Sequence, residues 1–387
     1  MATREIWFET YIFHDDATGL DMADALIDAA KRGVRVRVMI DGFGSNRSVD
    51  ALTLRFLGTR VEFMVYRPWR RWSDALQRGN WRRLHRKLCV VDDDVAFVGG
   101  INLIDDRFDI HHGWSAQPRL DYAVRVHGPV AAQVRWRMRQ LWLRTVATGA
   151  VQRHLSRAPG PSVLDSPAAR RRYLADLLAS GGQVPVGPER DARCADGGQA
   201  MRAALVVRDN LLQRRAIERT YVQAIDAAHR TVLLVSPYFY PGRAFRDSLV
   251  RAASRGVAVT LLLAGRADYR SAAWAARTLY AELVASGVAV FEYQRAFLHG
   301  KVAVVDDAWA TVGSSNIDPL SLLVNREANL IVADARFAGE LAAQIRRDLA
   351  DARRVDTRRL RTPWWMRPVV ALGARLVIAL AGGTRRY

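Results

Sequence analysis

Two stretches of this chain read alike. In the first half ETYIF leads into DMADALIDAAKRGVRVRVMI, and in the second SPYFY leads into AFRDSLVRAASRGVAVTLLL. Each reads as a strand, then a helix ending at a glycine (Gly33 or Gly256), then a buried strand beginning with valine. Strand and helix alternating in this way signal parallel α/β layering, and the repetition divides the chain into two halves built to one plan.

The repeat extends into a second pattern. The segments HRKLCVV and HGKVAVV are rich in β-branched residues, break at DDD or DD, and resume as VAFVGG and WATVGS, so each reads as a strand pair. Both open on His-x-Lys-x-x-x-x-Asp: His85, Lys87 and Asp92 in one, His299, Lys301 and Asp306 in the other. An asparagine follows each at the same spacing, Asn102 and Asn316. Residues i and i+2 of a strand share a face, so each His projects with its Lys while the valines enter the core. Of 58 basic residues only three are lysines, and two hold this one position, so the position calls for a compact ammonium and not a planar guanidinium. Gly99, Gly100, Gly313, Ser314 and Ser315 are small enough for a ligand to approach the backbone.

Two histidines and two lysines suit phosphoryl chemistry without a metal. A neutral imidazole attacks phosphorus and forms a phosphoramidate, while a protonated one gives its proton to the departing alkoxide. Lysines neutralise the non-bridging oxygens as charge gathers there. One motif supplies half of this machinery, and two related by a pseudo-twofold axis supply all of it in one cleft. The competing reading, metal ligation by His85, Asp92, His299 and Asp306, would set a lysine beside the cation on each strand face. No metal and no cofactor are expected.

The remaining sequence bounds the setting. A net charge of +19 over 387 residues points to an anionic partner: nucleic acid, an acidic membrane surface or a phosphorylated substrate. Cys89 lies in an apolar run and Cys194 in a polar linker, a usage that fits a reducing compartment. The N-terminus lacks the layout of a signal peptide, and the most apolar stretch, Pro368 to Gly383, is interrupted by Arg375 and too short to span a bilayer. Residues 151–200 read as a linker with one short helix, SPAARRRYLADLLAS. The second half opens with ALVVRD and LLQRRAIERTYVQAIDAAHR before its TVLLVSPYFY strand, whereas the first half opens directly on the equivalent strand. By comparison of the repeats, a strand and a helix are expected to be missing ahead of Met1.

These residues resemble the phospholipase D superfamily, whose HKD motif is the duplicated His-x-Lys-x-x-x-x-Asp element. HGKVAVVDDAWATVGSSNIDPLSLLVNREANL, FHDDATGLDMADALIDAAKRGVRVRVMIDGFGS and LDYAVRVHGPV further resemble bacterial cardiolipin synthases, particularly the B-type branch. The resemblance implies an α/β fold of two pseudo-twofold-related phospholipase D-like α-β-α sandwich halves, with the active site at their interface. Residues 1–150 and 201–355 would be the halves, and 356–387 a basic, Trp-containing tail. It implies that His85 becomes phosphatidylated and that His299 acts as acid and then base. Lys87, Lys301, Asn102 and Asn316, with Ser314, would bind the substrate's phosphoryl group. An acidic residue downstream of each motif would orient that motif's histidine, and the matching positions are Asp121 and Glu327. Asp92 and Asp306, though part of the motif, read as holding the turn after each motif strand. The implied activity is phosphatidyl transfer to phosphatidylglycerol from a phospholipid donor, with release of the donor headgroup. Hydrolysis of lipid or nucleic acid at the same site, and an inactive basic scaffold, are the alternatives.

The segment RPWRRWSDALQRGNWRRLHRK interleaves Trp69, Trp72 and Trp81 with Arg67, Arg70, Arg71, Arg78, Arg82 and Arg83. Indoles and guanidiniums suit an anionic lipid interface, and they also suit stacked single-stranded bases. The branch resemblance favours lipid, and with it a peripheral position on the cytoplasmic side of the cell inner membrane. Trp364, Trp365 and Arg367 ahead of VVALGARLVIALAGG fit an interfacial amphipathic helix. Oligomeric state is not written in these residues.

Overall fold

The computed structural model describes residues 1–69, 72–76, 78–110, 112–147, 171, 200–209, 213–265 and 279–356. Apart from Arg171, the linker helix lies outside the described residues, as do Cys194, Arg70, Arg71 and the tail with Trp364, Trp365 and Arg367.

The first sheet is built from β1 (Glu5–Thr10), β2 (Arg35–Asp41), β3 (Glu62–Tyr66), β4 (Lys87–Val91) and β5 (Val95–Gly99). A small hairpin follows, β6 (Phe108–Asp109) and β7 (Gly113–Trp114), and then β8 (Ala123–His127) closes the sheet in the order β3-β2-β1-β4-β5-β8. Helix α1 (Ala17–Lys31) begins where Asp16 accepts the Gly19 N–H at 2.9 Å, a side-chain N-cap. It stops ahead of Gly33, whose φ of +93° only glycine adopts readily. Its face of Ala23, Leu26, Ile27 and Ala30 joins α2 (Val49–Phe56) over Ile6, Phe8, Val36, Val38 and Val65, forming the buried core of this unit. Helix α3 (Pro129–Ala147) follows β8.

The second sheet repeats the plan. It comprises β9 (Arg202–Arg208), β10 (Thr231–Ser236), β11 (Ala258–Ala264), β12 (Ala289–Tyr293), β13 (Val302–Val305), β14 (Trp309–Gly313), β15 (Glu327–Ala333) and β16 (Ala352–Arg354). Its order is β16-β12-β11-β10-β13-β14-β15-β9. Helices α4 (Ala216–Asp226), α5 (Arg243–Ser254), the short α6 (Pro319–Leu323) and α7 (Ala335–Leu349) complete the described part. Strand β9 pairs along the whole of β15 from Arg202↔Ala333 to Arg208↔Glu327. Among the described residues nothing pairs with the outer edge of β8, its counterpart in the first sheet.

Neither sheet is wholly parallel. The two strands read from the strand-helix-strand repeat are parallel, β1 to β2, and β3 adds a third parallel to β2, but each motif strand runs antiparallel to its neighbour, β4 to β1 and β13 to β10. The reversal is local chemistry. Asp92 and Asp93 take φ of 55° and 64°, and Asp306 and Asp307 take 53° and 51°. Positive φ at both central residues is what a tight hairpin turn needs, and aspartate tolerates it better than a β-branched residue would.

By compactness the chain divides into two units, but not at the repeat boundary. One contains Met1–Val98, Asn102–Asp105 and Val124–Ala200; the other contains Gly99–Ile101, Asp106–Ala123 and Met201–Tyr387. Asp106–Ala123, the stretch leading into β8, thus belongs with the second repeat, where Asp121 had been expected to serve the first half.

Candidate active site

In the first unit His85 and Lys87 lie at the start of β4 and are 8% and 6% exposed. Lys87 Nζ donates to the His85 carbonyl at 2.8 Å, so the ammonium is held at the backbone of the histidine two residues before it. Tyr11 borders both: its ring meets the imidazole edge to face at 4.7 Å, and Lys87 Nζ stands 5.3 Å from its centroid. Asn102 is buried, and its Oδ1 accepts the N–H of Ile12, the residue after Tyr11, at 3.2 Å.

The approach to His85 is held by an ion pair that the sequence reading missed. Asp41, fully buried at the end of β2, accepts from Phe43 N, Gly44 N, Arg83 Nη2 and Leu84 N at 2.8–3.0 Å. Arg83 also donates to the carbonyls of Asn80 and Arg67, both at 2.9 Å. A planar fork reaching three acceptors is a task for arginine, and it fixes the backbone one residue before the histidine. Arg83 is therefore no lipid-facing arginine, as its place in the Trp/Arg segment had suggested. Within that segment Arg67 lies over the Tyr66 ring, and Trp69 packs against Phe43 at 5.0 Å. One residue past His85, Arg86 pairs with Glu9 at 2.6 Å, both buried. Cys89, half-buried within β4, has its thiol pushed up to about 12 by burial, so it is packing and not chemistry.

In the second unit Lys301 donates in the same way to the His299 carbonyl. His299 Nδ1 lies 2.6 Å from Asp121 Oδ2, with the two side chains 20% and 7% exposed. Asp121 had been expected to orient His85, its own motif's histidine; it sits instead on the histidine of the other motif. Its second oxygen accepts the Tyr122 N–H at 2.8 Å. A Cβ at Gly100 would lie 2.3 Å from that same oxygen, so the glycine is bare because the carboxylate fills the space. The Tyr122 ring covers Gly300, where a Cβ would come within 2.5 Å of it, and the Tyr122 hydroxyl is bonded to Asp348 of α7.

Glu327 is the structural counterpart of Asp121. Gly100 N donates to the carbonyl of Tyr122, and Ser314 N to that of Ala328, each one residue past its acid. The short β6–β7 hairpin lengthens the first connection, which explains why the two acids lie at unequal distances from their motifs. Glu327 is fully buried and accepts from Ser314 Oγ at 2.5 Å; Ser314 Oγ in turn accepts the Ala328 N–H at 3.1 Å. Ser314 thereby ties the acid to the end of β14. Asn316 is 6% exposed.

Burial pulls the His299 imidazole down to about 3, and the Lys301 and Arg119 charges push the same way against the opposing pull of Asp121. Burial alone would raise Asp121, but His299, Lys301 and the hydrogen bonds hold its carboxyl below the usual range. The motif aspartates contact neither imidazole. Asp92 accepts from Thr3 N, Arg4 N and Glu5 N at 2.7–2.9 Å, and Asp306 from His229 N, Arg230 N and Thr231 N at 2.7–2.8 Å. They staple the start of β1 and of β10 to the adjoining turn. Among the described residues no group of acidic, His and Cys side chains forms a metal cluster.

A family profile described as "Cardiolipin synthase, PLD-like domain" matches residues 1–142 and 221–349, which takes in both motifs. The chain belongs to this cardiolipin synthase, PLD-like family. Among individual proteins it is 38% identical over 366 residues to "Cardiolipin synthase B" of Salmonella typhimurium, covering 94% of this chain and 79% of that protein. It is 36% identical to the protein of the same name in Escherichia coli K12, with the same coverage. A crystal structure of phosphatidylserine synthase from Haemophilus influenzae Rd KW20 shares the fold: TM-score 0.64 at 13% identity, covering 98% of this chain and 89% of that one.

For this PLD-like chain the sequence located the motif residues but not what surrounds them. Asp41 and Arg83 announce themselves only as a buried acid at a strand end and one arginine among many. Gly44, Gly100 and Gly300 were the available signals, since each glycine marks a place where another side chain has taken the room of a Cβ.

Proposed function

We propose that the chain is a cardiolipin synthase that moves a phosphatidyl group from phosphatidylglycerol to the free glycerol hydroxyl of a second phosphatidylglycerol. His85 attacks the donor phosphorus, the N–P bond forms, and the P–O bond to glycerol breaks, with His299 giving that oxygen its proton. The acceptor hydroxyl then adds to phosphorus while His299 takes its proton, and the N–P bond breaks to release cardiolipin. Lys87 and Lys301, each fixed by its own histidine's carbonyl, neutralise the phosphoryl oxygens as charge develops. Asn102, Asn316 and Ser314 line the substrate beside them.

The observation that carries this reading is the pair of intact His/Lys sites in a member of this family, one of them completed by a buried carboxylate 2.6 Å from its imidazole. Phosphatidylglycerol labelled in its phosphate tests it directly. Cardiolipin with released glycerol is expected, phosphatidic acid would mean water is the acceptor, and no product would mean a scaffold. His85→Ala and His299→Ala should each cut turnover by at least about 10³-fold; full activity in either defeats the mechanism.

The working surface fits an anionic bilayer reached from the cytoplasmic side of the inner membrane. Phe43, 48% exposed and packed on Trp69, and Leu76, 74% exposed, offer apolar contact, and the net charge of +19 favours acidic headgroups. No helix among the described residues is long and apolar enough to cross a membrane.

A further inference from the structure

Tyr11 follows β1, and its ring forms a wall beside the first motif. Besides meeting His85 at 4.7 Å and underlying Lys87, the residue is fixed from behind. Ser45 Oγ donates to the Tyr11 carbonyl at 3.0 Å, and the Ser45 hydroxyl also accepts the Phe13 N–H at 3.0 Å. Thr10 Oγ1 donates to the Ile12 carbonyl at 3.0 Å. A Cβ on Gly44 would lie 2.4 Å from the Tyr11 carbonyl oxygen and 2.8 Å from two of its ring carbons. The loop has been kept bare so that the ring can lean on it.

The repeat supplies an internal comparison. Glu9 pairs with Leu88 in the first sheet and Val235 with Val302 in the second, which sets Tyr11 opposite Pro237. The shared fold therefore asks for no aromatic at this position, and the ring belongs to the His85 site in particular.

We infer that Tyr11 is a specificity-determining residue that walls the His85 phosphohistidine against water, so that the phosphatidyl group passes to an alcohol. The inference rests on the proposed transfer through His85 and deepens it. The intermediate has two fates. With the lipid hydroxyl, the new P–O bond forms, the N–P bond breaks and the hydroxyl proton goes to the base, giving cardiolipin. With water the same bonds change, and the product is phosphatidic acid. An aromatic face offers water no strong hydrogen-bond partner, and replacing the ring by a small side chain opens room for solvent. The lipid acceptor brings its own bulk and is less affected.

The test is the ratio of cardiolipin to phosphatidic acid made by the full chain on phosphatidylglycerol vesicles, for the native protein and for Tyr11→Phe, Tyr11→Leu, Tyr11→Ala and Tyr11→Ser. Phe and Leu should keep the ratio close to native. Ala and Ser should lower it about tenfold, the scale on which one lost apolar group alters selection. The ratio is internal to each sample, so partial loss of folded protein does not move it. Gly44→Ala, whose Cβ would press on both the Tyr11 carbonyl and the Tyr11 ring, should shift the ratio in the same direction. Native-like ratios in Ala, Ser and Gly44→Ala would overturn the role of Tyr11 while cardiolipin synthesis stands. A native protein that makes neither product would instead defeat the proposed function.

Discussion

A carboxylate beside an imidazole ordinarily favours the imidazolium, yet at His299 burial and the Lys301 and Arg119 charges outweigh Asp121 and pull the imidazole below its ordinary value. His299 can serve as an acid only if substrate changes that balance. A phosphodiester anion would do so by offsetting the Lys301 charge, which raises the pKa of its neighbour. NMR of ring-labelled histidine should find no His299 titration near its ordinary value of about 6.5 in the unliganded protein. Adding inorganic phosphate should move its midpoint upward, and a midpoint unchanged by phosphate would contradict the coupling. Asp121→Asn removes the counter-charge of the imidazolium and should lower kcat by about 10²–10⁴-fold, read in a steady-state assay. At this scale the sequence was informative where chemistry is tied to local spacing, as for Lys87 and Lys301, each bonded to the carbonyl of the histidine two residues before it. It was uninformative where a side chain crosses to another segment, because nothing in the spacing of Asp121 tells which imidazole it reaches.

The elements owe their positions to a few carboxylates. Asp92 gathers three consecutive N–H groups at the start of β1 and Asp306 does the same for β10, while the turn after each motif strand runs through positive φ. Asp92→Ala loses the acceptor and also the side chain that tolerates this conformation, and should cost about 2 kcal/mol in denaturant unfolding. The backbone N–H groups of Glu5, Arg4 and Thr3 overcome the upward pull of burial and hold Asp92 at about 2. A carboxyl depressed in the folded state stabilises it above the unfolded pKa of about 3.9 and loses that contribution as pH falls towards 2. His299 acts with the same sign: the unfolded chain takes up its proton below about 6.5 and the folded one does not, so stability declines from there downward. Thermal melts should therefore fall steadily on acidification, and Asp92→Asn should flatten only the most acidic part. The strand-helix-strand units were legible because Gly33 and Gly256 close helices with a clear apolar face. The antiparallel turn of the motif strands was less so, since hydrophobic pattern gives a strand's faces but not its direction.

For the molecule as a whole, charge sets the conditions of work. With +19 over 387 residues, attraction to phosphatidylglycerol vesicles should be strong in dilute buffer and weaken as salt shortens the reach of each charge. Co-sedimentation should show at least a tenfold drop in binding between about 0.05 and about 0.5 M salt. Binding that ignores salt would assign the contact to apolar insertion by residues such as Phe43 and Leu76. Composition announced this behaviour, whereas the division into units was hidden, because the hairpin segment 106–123 sits in one repeat by sequence and in the other by compactness.

That displaced segment makes the repeats interdependent. A gene cut at the linker would yield a downstream fragment with His299, Lys301 and Asn316 in place, but the acid for its histidine would have left with the upstream piece. Two once-similar halves have in this respect ceased to be interchangeable copies: inheritance of the second motif without the first is inheritance of an imidazole lacking its counter-ion.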